Sequence, residues 1–261
     1  IRAFAGTHAK VGLTTDDVDR YVHDEIVRLG AYPSPLGYHG FQKSLGTSVN
    51  HVVCHGVPDK RPLKHGDIVN FDITVYYKGF HGDCSATFYV QNDSIPLEND
   101  PLYTKEKQQL IQQTQYSMNQ AIQLCRPGVN FYEIGQKIQE IADQNGYGVV
   151  PQYCGHGIGH DFHCSPTIIH ADNNVPGVMD TGMVFTIEPI FNLDKSNQCI
   201  THNDRWTVVN ASGALSAQFE ETIAVLDNKA VVLTSCSPLQ YELFSQQNIT
   251  ADDISKIATL N

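Results

Sequence analysis

Apolar and polar residues alternate along two neighbouring segments of the chain, 67–77 and 80–90. In the first segment every second residue from Val69 onward is apolar, which is the period of a β-strand with one buried face. The dipeptide Lys78-Gly79 lies between the segments and favours a tight turn, so the two segments are predicted to form an antiparallel hairpin. Asp72 and Asp83 then lie on its polar face.

Three helices are predicted from apolar residues that recur at intervals of three and four. Their approximate ranges are 15–29, 102–125 and 130–145. The third is predicted to begin at an Asn130 cap, because Glu133 follows three positions later and this spacing is typical of a helix N-terminus.

Three further segments are predicted to be extended, namely 47–55, 182–189 and 215–226. Strand alternation places Glu188 on one face of the second of these segments and Glu220 on one face of the third. No Pro/Ser-rich linker interrupts the chain. The pattern therefore predicts one α+β domain over residues 1–261, with antiparallel strands at its centre.

The composition argues against two kinds of partner. With 28 acidic and 17 basic residues and a formal net charge of −11, the chain lacks the clustered cations that phosphate binding requires, so we expect no direct nucleic-acid binding. No run approaches the roughly 18 apolar residues of a membrane span, and no leader opens the chain. The seven cysteines contain no CxxC pair and indicate a reducing compartment. We predict a monomer in the cytoplasm.

The two aspartates of the hairpin are candidates for a metal site. If the turn centres on Lys78-Gly79, Asp83 lies opposite Thr74 and Asp72 is its diagonal neighbour, with Cβ atoms about 7 Å apart. Like charges at that distance need a shared proton or a cation between them. From the hairpin alone, two solvated carboxylates on an outer strand face are an equally good interpretation.

The surroundings of His156 favour a metal site over two solvated carboxylates. Glycines at 155, 157 and 159 surround this imidazole, which suggests backbone packed closely about it. Glu188 and Glu220 lie on polar strand faces between apolar runs, although each alone is weak evidence.

Six motifs appear in a fixed order along the chain: Val53-Cys54-His55-Gly56, Gly66–Asp72, Gly79–Asp83, Gly155–Gly159, Phe185–Pro189 and Ser216–Glu220. They resemble the consecutive signatures of type I methionine aminopeptidases, from about residue 15 to residue 226. The resemblance implies the pita-bread fold, a pseudo-two-fold curved antiparallel sheet flanked by helices, with halves of roughly 1–128 and 129–261. It also implies removal of the initiator methionine from nascent polypeptides.

By that resemblance, Asp83 and Glu220 bridge two divalent cations, Asp72 completes one metal site, and His156 with Glu188 completes the other. Oxygen ligands with one imidazole suit manganese, iron, cobalt or zinc. The resemblance implies a metal-bridging hydroxide as nucleophile, with Glu188 as general base.

The resemblance also implies residues that contact the substrate. His163 donates a hydrogen bond to the carbonyl oxygen, and His55 contacts the scissile amide nitrogen. The implied walls of the methionine pocket are Tyr38, Phe41, Phe162 and Trp206. Gly46 stands where the type I pattern usually has a cysteine, so we expect a roomier pocket here.

Two alternatives remain open. A proline-directed exopeptidase of the Xaa-Pro aminopeptidase or prolidase kind shares the five-ligand pattern, but Trp206 and the Cys54-His55-Gly56 signature argue against it. A non-catalytic pita-bread protein that binds ribosomes or RNA would have lost ligands and gained basic surface. Ribosome contact could also be made by an enzyme of this family through a segment that precedes the domain.

Overall fold

The computed structural model describes residues 1–234, so Cys236 and the last part of the predicted domain lie outside the described residues. The α-helices of this part are α1 (Arg2–Gly6), α2 (Thr15–Arg28), α3 (Lys105–Leu124) and α4 (Tyr132–Asn145). The three predicted helices are therefore confirmed, with ends that differ by a few residues. The short helix α1 was not predicted. Within residues 1–234, no helix has both the length and the apolar character that crossing a lipid bilayer would require.

The predicted cap of the third helix is wrong. The residue before α4 is Phe131, which makes no capping hydrogen bond through its side chain. Asn130 forms an isolated antiparallel bridge with Val178, whose hydrogen bonds are made by the neighbouring residues Val129 and Phe131, and the helix begins two residues after Asn130. The backbone N–H of Asn130 still donates to the Glu133 side chain, at 3.3 Å.

The strands of the described residues form three sheets. They are β1 (Tyr32–Pro33), β2 (Gly46–Val49), β3 (Val52–Cys54), β4 (Ile68–Tyr77), β5 (Phe80–Tyr89), β6 (Gly148–Val149), β7 (Gly155–Gly157), β8 (Cys164–Ile168), β9 (Val184–Ile187), β10 (Ile190–Asn192), β11 (Cys199–Thr201), β12 (Val208–Asn210), β13 (Ser216–Gln218), β14 (Glu220–Val225) and β15 (Ala230–Val232).

The largest sheet has the order β1-β4-β5-β14-β9-β7-β8, with β2 also paired to β4 and β15 to β14. The smaller sheets are β13-β10-β6 and β11-β12-β3. Every pair of these strands is antiparallel, for example β4 with β5 and β14 with β9. The predicted α+β class with central antiparallel strands is confirmed.

The hairpin of β4 and β5 has the predicted register. Its pairs run without a shift from Ile68 opposite Tyr89 to Tyr77 opposite Phe80. Thr74 lies opposite Asp83, as the turn at Lys78-Gly79 predicts.

The predicted strand 215–226 is wrong as a single strand. It divides at Phe219, because β13 pairs with β10 in a small sheet whereas β14 pairs with β5 and β9 in the large one. Side chains account for this division. The carbonyl of Gln218 accepts hydrogen bonds from Asn70 at 2.9 Å and from Thr87 at 2.8 Å, and its N–H donates to the Thr87 hydroxyl at 3.0 Å. On the side of Gln218 that faces away from β10, polar side chains thus take the place of a second neighbouring strand.

Two other extended segments are shorter than predicted. Segment 47–55 is interrupted at Asn50, whose φ of 56° lies in the left-handed region that Asn tolerates, so β2 and β3 enter different sheets. The strand predicted over 182–189 ends at Ile187, and Glu188 therefore lies just beyond β9.

Two apolar clusters hold the helices against the large sheet. Val18, Val22 and Ile26 of α2 pack with buried residues of β4. In the other cluster α3 and α4 pack around Phe185 and Ile187 of β9. Because the helices cover these apolar strand positions, the alternate positions carry the polar side chains of the opposite face.

Candidate metal centre

The polar face of the large sheet lines a cavity of about 380 Å³. The sequence predicts eleven residues for metal binding or substrate contact, and all of them line this cavity: Tyr38, Phe41, His55, Asp72, Asp83, His156, Phe162, His163, Glu188, Trp206 and Glu220. The structure therefore brings together side chains from distant parts of the sequence.

Three of the five predicted ligands lie closest to one another. Asp83, His156 and Glu220 each offer a ligand atom, and these atoms lie within 4.8 Å of one another. The arrangement follows from the sheet, since Glu220 of β14 pairs with Ser85, two positions from Asp83 on the same face of β5. Glu188 joins the group, with its Oε1 3.7 Å from Nε2 of His156.

The imidazole of His156 is oriented for metal binding. Its Nδ1 lies 3.0 Å from the carbonyl oxygen of Gly157, a contact that requires Nδ1 to carry the proton. Nε2 faces the carboxylates and lies 3.8 Å from Oδ2 of Asp83. A metal-binding histidine commonly donates its other N–H in this way.

The charge balance of the cavity favours cations. Burial, and then the charge of Asp83, raises the pKa of Asp72, Glu188 and Glu220 well above the usual range for carboxyl groups. Of the described residues that line this cavity, none is Lys or Arg. Four carboxylates and one imidazole in such a place fit divalent metal ions, which would offset their mutual repulsion.

Sequence analysis missed several side chains that support the ligands. Thr186 is buried, accepts the backbone N–H of His156 at 3.0 Å and donates to Oε1 of Glu188 at 3.0 Å. Gln218 donates to the other oxygen of Glu188 at 3.3 Å. Thr74 donates to Oδ1 of Asp83 at 2.7 Å. Each of these three residues lies two positions from a predicted ligand in a predicted strand. Strand alternation therefore places it on the same face as that ligand, and this pattern could have identified all three.

His170 also supports Glu188, through the backbone. Its Nε2 accepts the Glu188 N–H at 3.1 Å, so this nitrogen carries no proton. Complete burial lowers the pKa of His170 to about 4, which keeps the ring neutral and able to accept. Nothing in the sequence pattern marks this residue.

Arg2 holds the strand that carries Glu220. Its guanidinium donates to the carbonyl oxygen of Glu220 at 2.9 Å and to the carboxylate of Glu221 at 2.7 Å. Arg2 and Glu221 are only 7% and 4% exposed at their side chains, so this is a buried ion pair. Helix α1 is thereby fixed to the ligand strand. Sequence analysis gave no signal for this contact.

Aromatic rings and histidines form the rest of the cavity wall. The ring of Tyr38 lies 4.7 Å from that of Phe162, and the ring of Phe41 lies 5.0 Å from that of Trp206. The ring of His163 lies 4.0 Å from that of His156, between the metal ligands and this wall.

Gly46 lies opposite Asp72 in the pairing of β2 with β4 and lines the cavity. A Cβ atom at this position would lie 3.3 Å from Cβ of Asp72. This contact is close, so a residue with a Cβ there would need a small shift of Asp72 or of its own strand. The effect of this glycine on substrate preference stays a prediction.

Comparison with known proteins identifies the family. The model of metallopeptidase family M24 matches residues 1–227. The chain is 47% identical over 236 residues to methionine aminopeptidase 1D, chloroplastic/mitochondrial, of Arabidopsis thaliana, an alignment that covers 90% of the chain and 64% of that relative. The chain therefore spans just under two thirds of the length of this relative.

Solved structures agree with this assignment. The crystal structure of methionine aminopeptidase from Rickettsia prowazekii superposes with a TM-score of 0.82 at 40% identity, over 89% of this chain and 90% of that one. The chain belongs to metallopeptidase family M24 and has the pita-bread fold. The relatives named here are methionine aminopeptidases, which confirms the resemblance found in the sequence.

A more distant likeness concerns the fold alone. Prolidase from Pyrococcus furiosus superposes with a TM-score of 0.67 at 20% identity, over 90% of this chain and 60% of that one. The shared fold therefore does not separate the two kinds of exopeptidase considered from the sequence.

The role of Thr186 can be tested with a variant of the same shape. Thr186→Val removes the hydroxyl that holds both His156 and Glu188, so we expect metal affinity to fall by about tenfold to a hundredfold. Isothermal titration with Mn²⁺ or Co²⁺ would measure this loss. Thr7→Val, which changes an exposed threonine, is the matched control. An unchanged binding isotherm in Thr186→Val would contradict the role.

Proposed function

We propose that the chain is the catalytic domain of a dinuclear metal-dependent aminopeptidase that removes the N-terminal methionine from polypeptides. One observation carries the proposal: four carboxylates and the imidazole of His156 converge in a cavity that has aromatic walls and no lining Lys or Arg among the described residues. The names of the relatives support methionine as the residue released.

The ligand roles are those that the family resemblance implies. We propose that Asp83 and Glu220 would be shared by the two cations, and the proposal is supported by their ligand atoms, which lie within 4.8 Å of each other and of His156. Asp72 would complete one site, and His156 with Glu188 the other. The cations, when bound, would lower the pKa of a water molecule and polarise the scissile carbonyl group. Manganese, iron, cobalt and zinc all suit these donors.

The remaining roles belong to residues of the chain itself. Glu188 is held on both carboxylate oxygens by Thr186 and Gln218, which fixes its orientation in the cavity and suits a group that accepts a proton during hydrolysis. His163 would donate to the carbonyl oxygen as negative charge develops there. His55 would contact the scissile amide nitrogen and help to position the leaving amine.

The aromatic wall would select the side chain of the N-terminal residue. A thioether is polarisable and packs well against aromatic ring edges, so Tyr38, Phe41, Phe162 and Trp206 suit methionine. The free amine of the substrate would lie near Asp72, which would explain why only the N-terminal residue is released.

Two peptides separate this function from the proline-directed alternative. We expect chelator-treated protein supplied with Mn²⁺, Co²⁺, Fe²⁺ or Zn²⁺ to release methionine from Met-Gly-Met-Met with kcat/KM at least about a hundredfold above that for Ala-Pro-Gly, a difference of the size that pocket contacts provide. Chromatography of the products would measure both rates. Release of Pro-Gly without release of methionine would overturn the proposal.

Other properties stay predictions. These are the single-domain organisation with halves 1–128 and 129–261, the monomeric state, the cytoplasmic location and contact with the ribosome. The name of the Arabidopsis relative includes chloroplastic and mitochondrial forms, so the family is not restricted to one compartment. The net charge of −11 argues against a protein that binds RNA in place of catalysis.

A further inference from the structure

A second cavity, of about 250 Å³, adjoins the candidate metal centre. Its lining residues are Phe131, Tyr132, Pro166, Thr167, Ile169, Asn173, Val175, Pro176 and Gly177. Thr167 also lines the first cavity, so the two cavities meet at this residue.

The pairing of the strands explains why both cavities are lined by Thr167. Thr167 of β8 is the cross-strand partner of the predicted ligand His156 of β7. In the described part of the chain β8 is the last strand of the large sheet, with β7 as its one partner. Thr167 and His156 point to the same face, so the wall of the first cavity reaches the edge of the sheet at Thr167, and the second cavity lies at this edge.

The distance from the metal centre to the second cavity suits a peptide whose N-terminus lies at the metal centre. Neighbouring strands lie about 4.8 Å apart, so the far side of β8 is roughly 10 Å from β7, the length of about three residues of an extended chain. Thr167, which lines both cavities, and His163, which lines the first, are both exposed. An extended peptide could also use the free backbone edge of β8, as peptides do when they add to a sheet.

The lining of the second cavity determines which side chain it accepts. None of the described residues that line it is charged, and rings or aliphatic groups form most of its surface. Asn173 is occupied within its own loop, since its amide donates to the carbonyl of Ala171 at 2.9 Å and its oxygen accepts the N–H of Val175 at 3.1 Å. The cavity therefore offers apolar contact.

We propose that the second cavity binds an apolar side chain of the polypeptide substrate, at its third or fourth residue. This inference rests on the proposed function and extends it to the part of the substrate that is not cleaved. The occupant is the substrate itself, because Thr167 lines both cavities and places the second one within reach of a peptide whose N-terminus lies at the metal centre.

Peptides that differ at one position test the proposal. In Met-Ala-Ser-X-Ser-Gly and Met-Ala-X-Ser-Ser-Gly, we expect leucine at X to give kcat/KM about tenfold above glutamate at one of the two positions, mainly through KM, which is typical for burial of an aliphatic group. Equal values for leucine, glutamate and lysine at both positions would overturn the proposal.

A charge at the rim provides the matched variant. Val175 is 53% exposed and lines the cavity, so Val175→Asp should lower kcat/KM for the leucine peptide relative to the tripeptide Met-Ala-Ser and should favour lysine at X. Val11→Asp is the control, because Val11 is 49% exposed in a turn and lines neither cavity.

The two proposals fail in different ways. If Val175→Asp leaves the order of the leucine, glutamate and lysine peptides unchanged while Met-Ala-Ser is still hydrolysed, the second cavity does not bind substrate. If the wild-type protein releases no methionine from Met-Ala-Ser with any of the metals, the proposed function itself is wrong.

Discussion

Asp83→Asn is expected to lower kcat by at least about a thousandfold, because the several kcal/mol that a metal centre contributes to the transition state correspond to about three powers of ten in rate. Asp83 is one of the two residues proposed to be shared by both cations, and its ligand atom lies within 4.8 Å of those of His156 and Glu220. An amide carries no charge and is a weaker ligand. The rate should be measured with each metal at saturating concentration.

The fold of this variant should be preserved. Thr74 donates to Oδ1 of Asp83, and the carbonyl oxygen of asparagine can accept the same hydrogen bond. Circular dichroism and the melting temperature would check this, and elemental analysis would count the bound metal. Asp93→Asn, at an exposed aspartate, is the control. A rate equal to that of the wild type at saturating metal would refute the assignment of Asp83 as a shared ligand.

Removal of metal by a chelator should abolish activity and lower the melting temperature together. A ligand at a hundred times its dissociation constant stabilises the folded state by about 2.7 kcal/mol, and this contribution disappears when the ligand is removed. Addition of Mn²⁺, Co²⁺, Fe²⁺ or Zn²⁺ should restore both properties. Full activity in chelated protein that elemental analysis shows to be metal-free would contradict the metal-dependent mechanism.

The effect of metal on stability should grow with pH. In the metal-free fold the pKa values of Asp72, Glu188 and Glu220 are raised by burial and by neighbouring carboxylates. The folded state then binds protons that the unfolded chain has released, so metal-free stability falls as pH rises from the ordinary carboxyl range towards the raised pKa values. Cations compete with those protons. The difference in melting temperature between loaded and chelated protein should be larger at about pH 7.5 than at about pH 5.5.

The features that the sequence predicts well depend on neighbours along the chain. The alternation in 67–77 and 80–90, together with the turn at Lys78-Gly79, was enough to place Asp83 opposite Thr74. Helices α2, α3 and α4 follow from apolar spacing in the same way. The convergence of the five predicted ligands needed the resemblance to a family, because no local pattern relates the hairpin to His156.

The features that the sequence does not predict depend on distant partners. The division of 215–226 follows from hydrogen bonds that Asn70 and Thr87 make to Gln218. The docking of α1 follows from the contact of Arg2 with Glu221. Hydrophobic periodicity describes which face of a segment is buried, and it carries no information about which remote side chain will satisfy a backbone group.

The number of residues in the turn between β4 and β5 determines where Asp83 points. Lys78 and Gly79 both have positive φ, 49° and 97°, and they join two strands whose pairing has no irregularity. Insertion or deletion of a single residue there would slide β5 by one position and turn the carboxylate of Asp83 towards the helices on the opposite side of the sheet. Such an indel would remove a proposed ligand from the cavity without changing any of the five ligand residues.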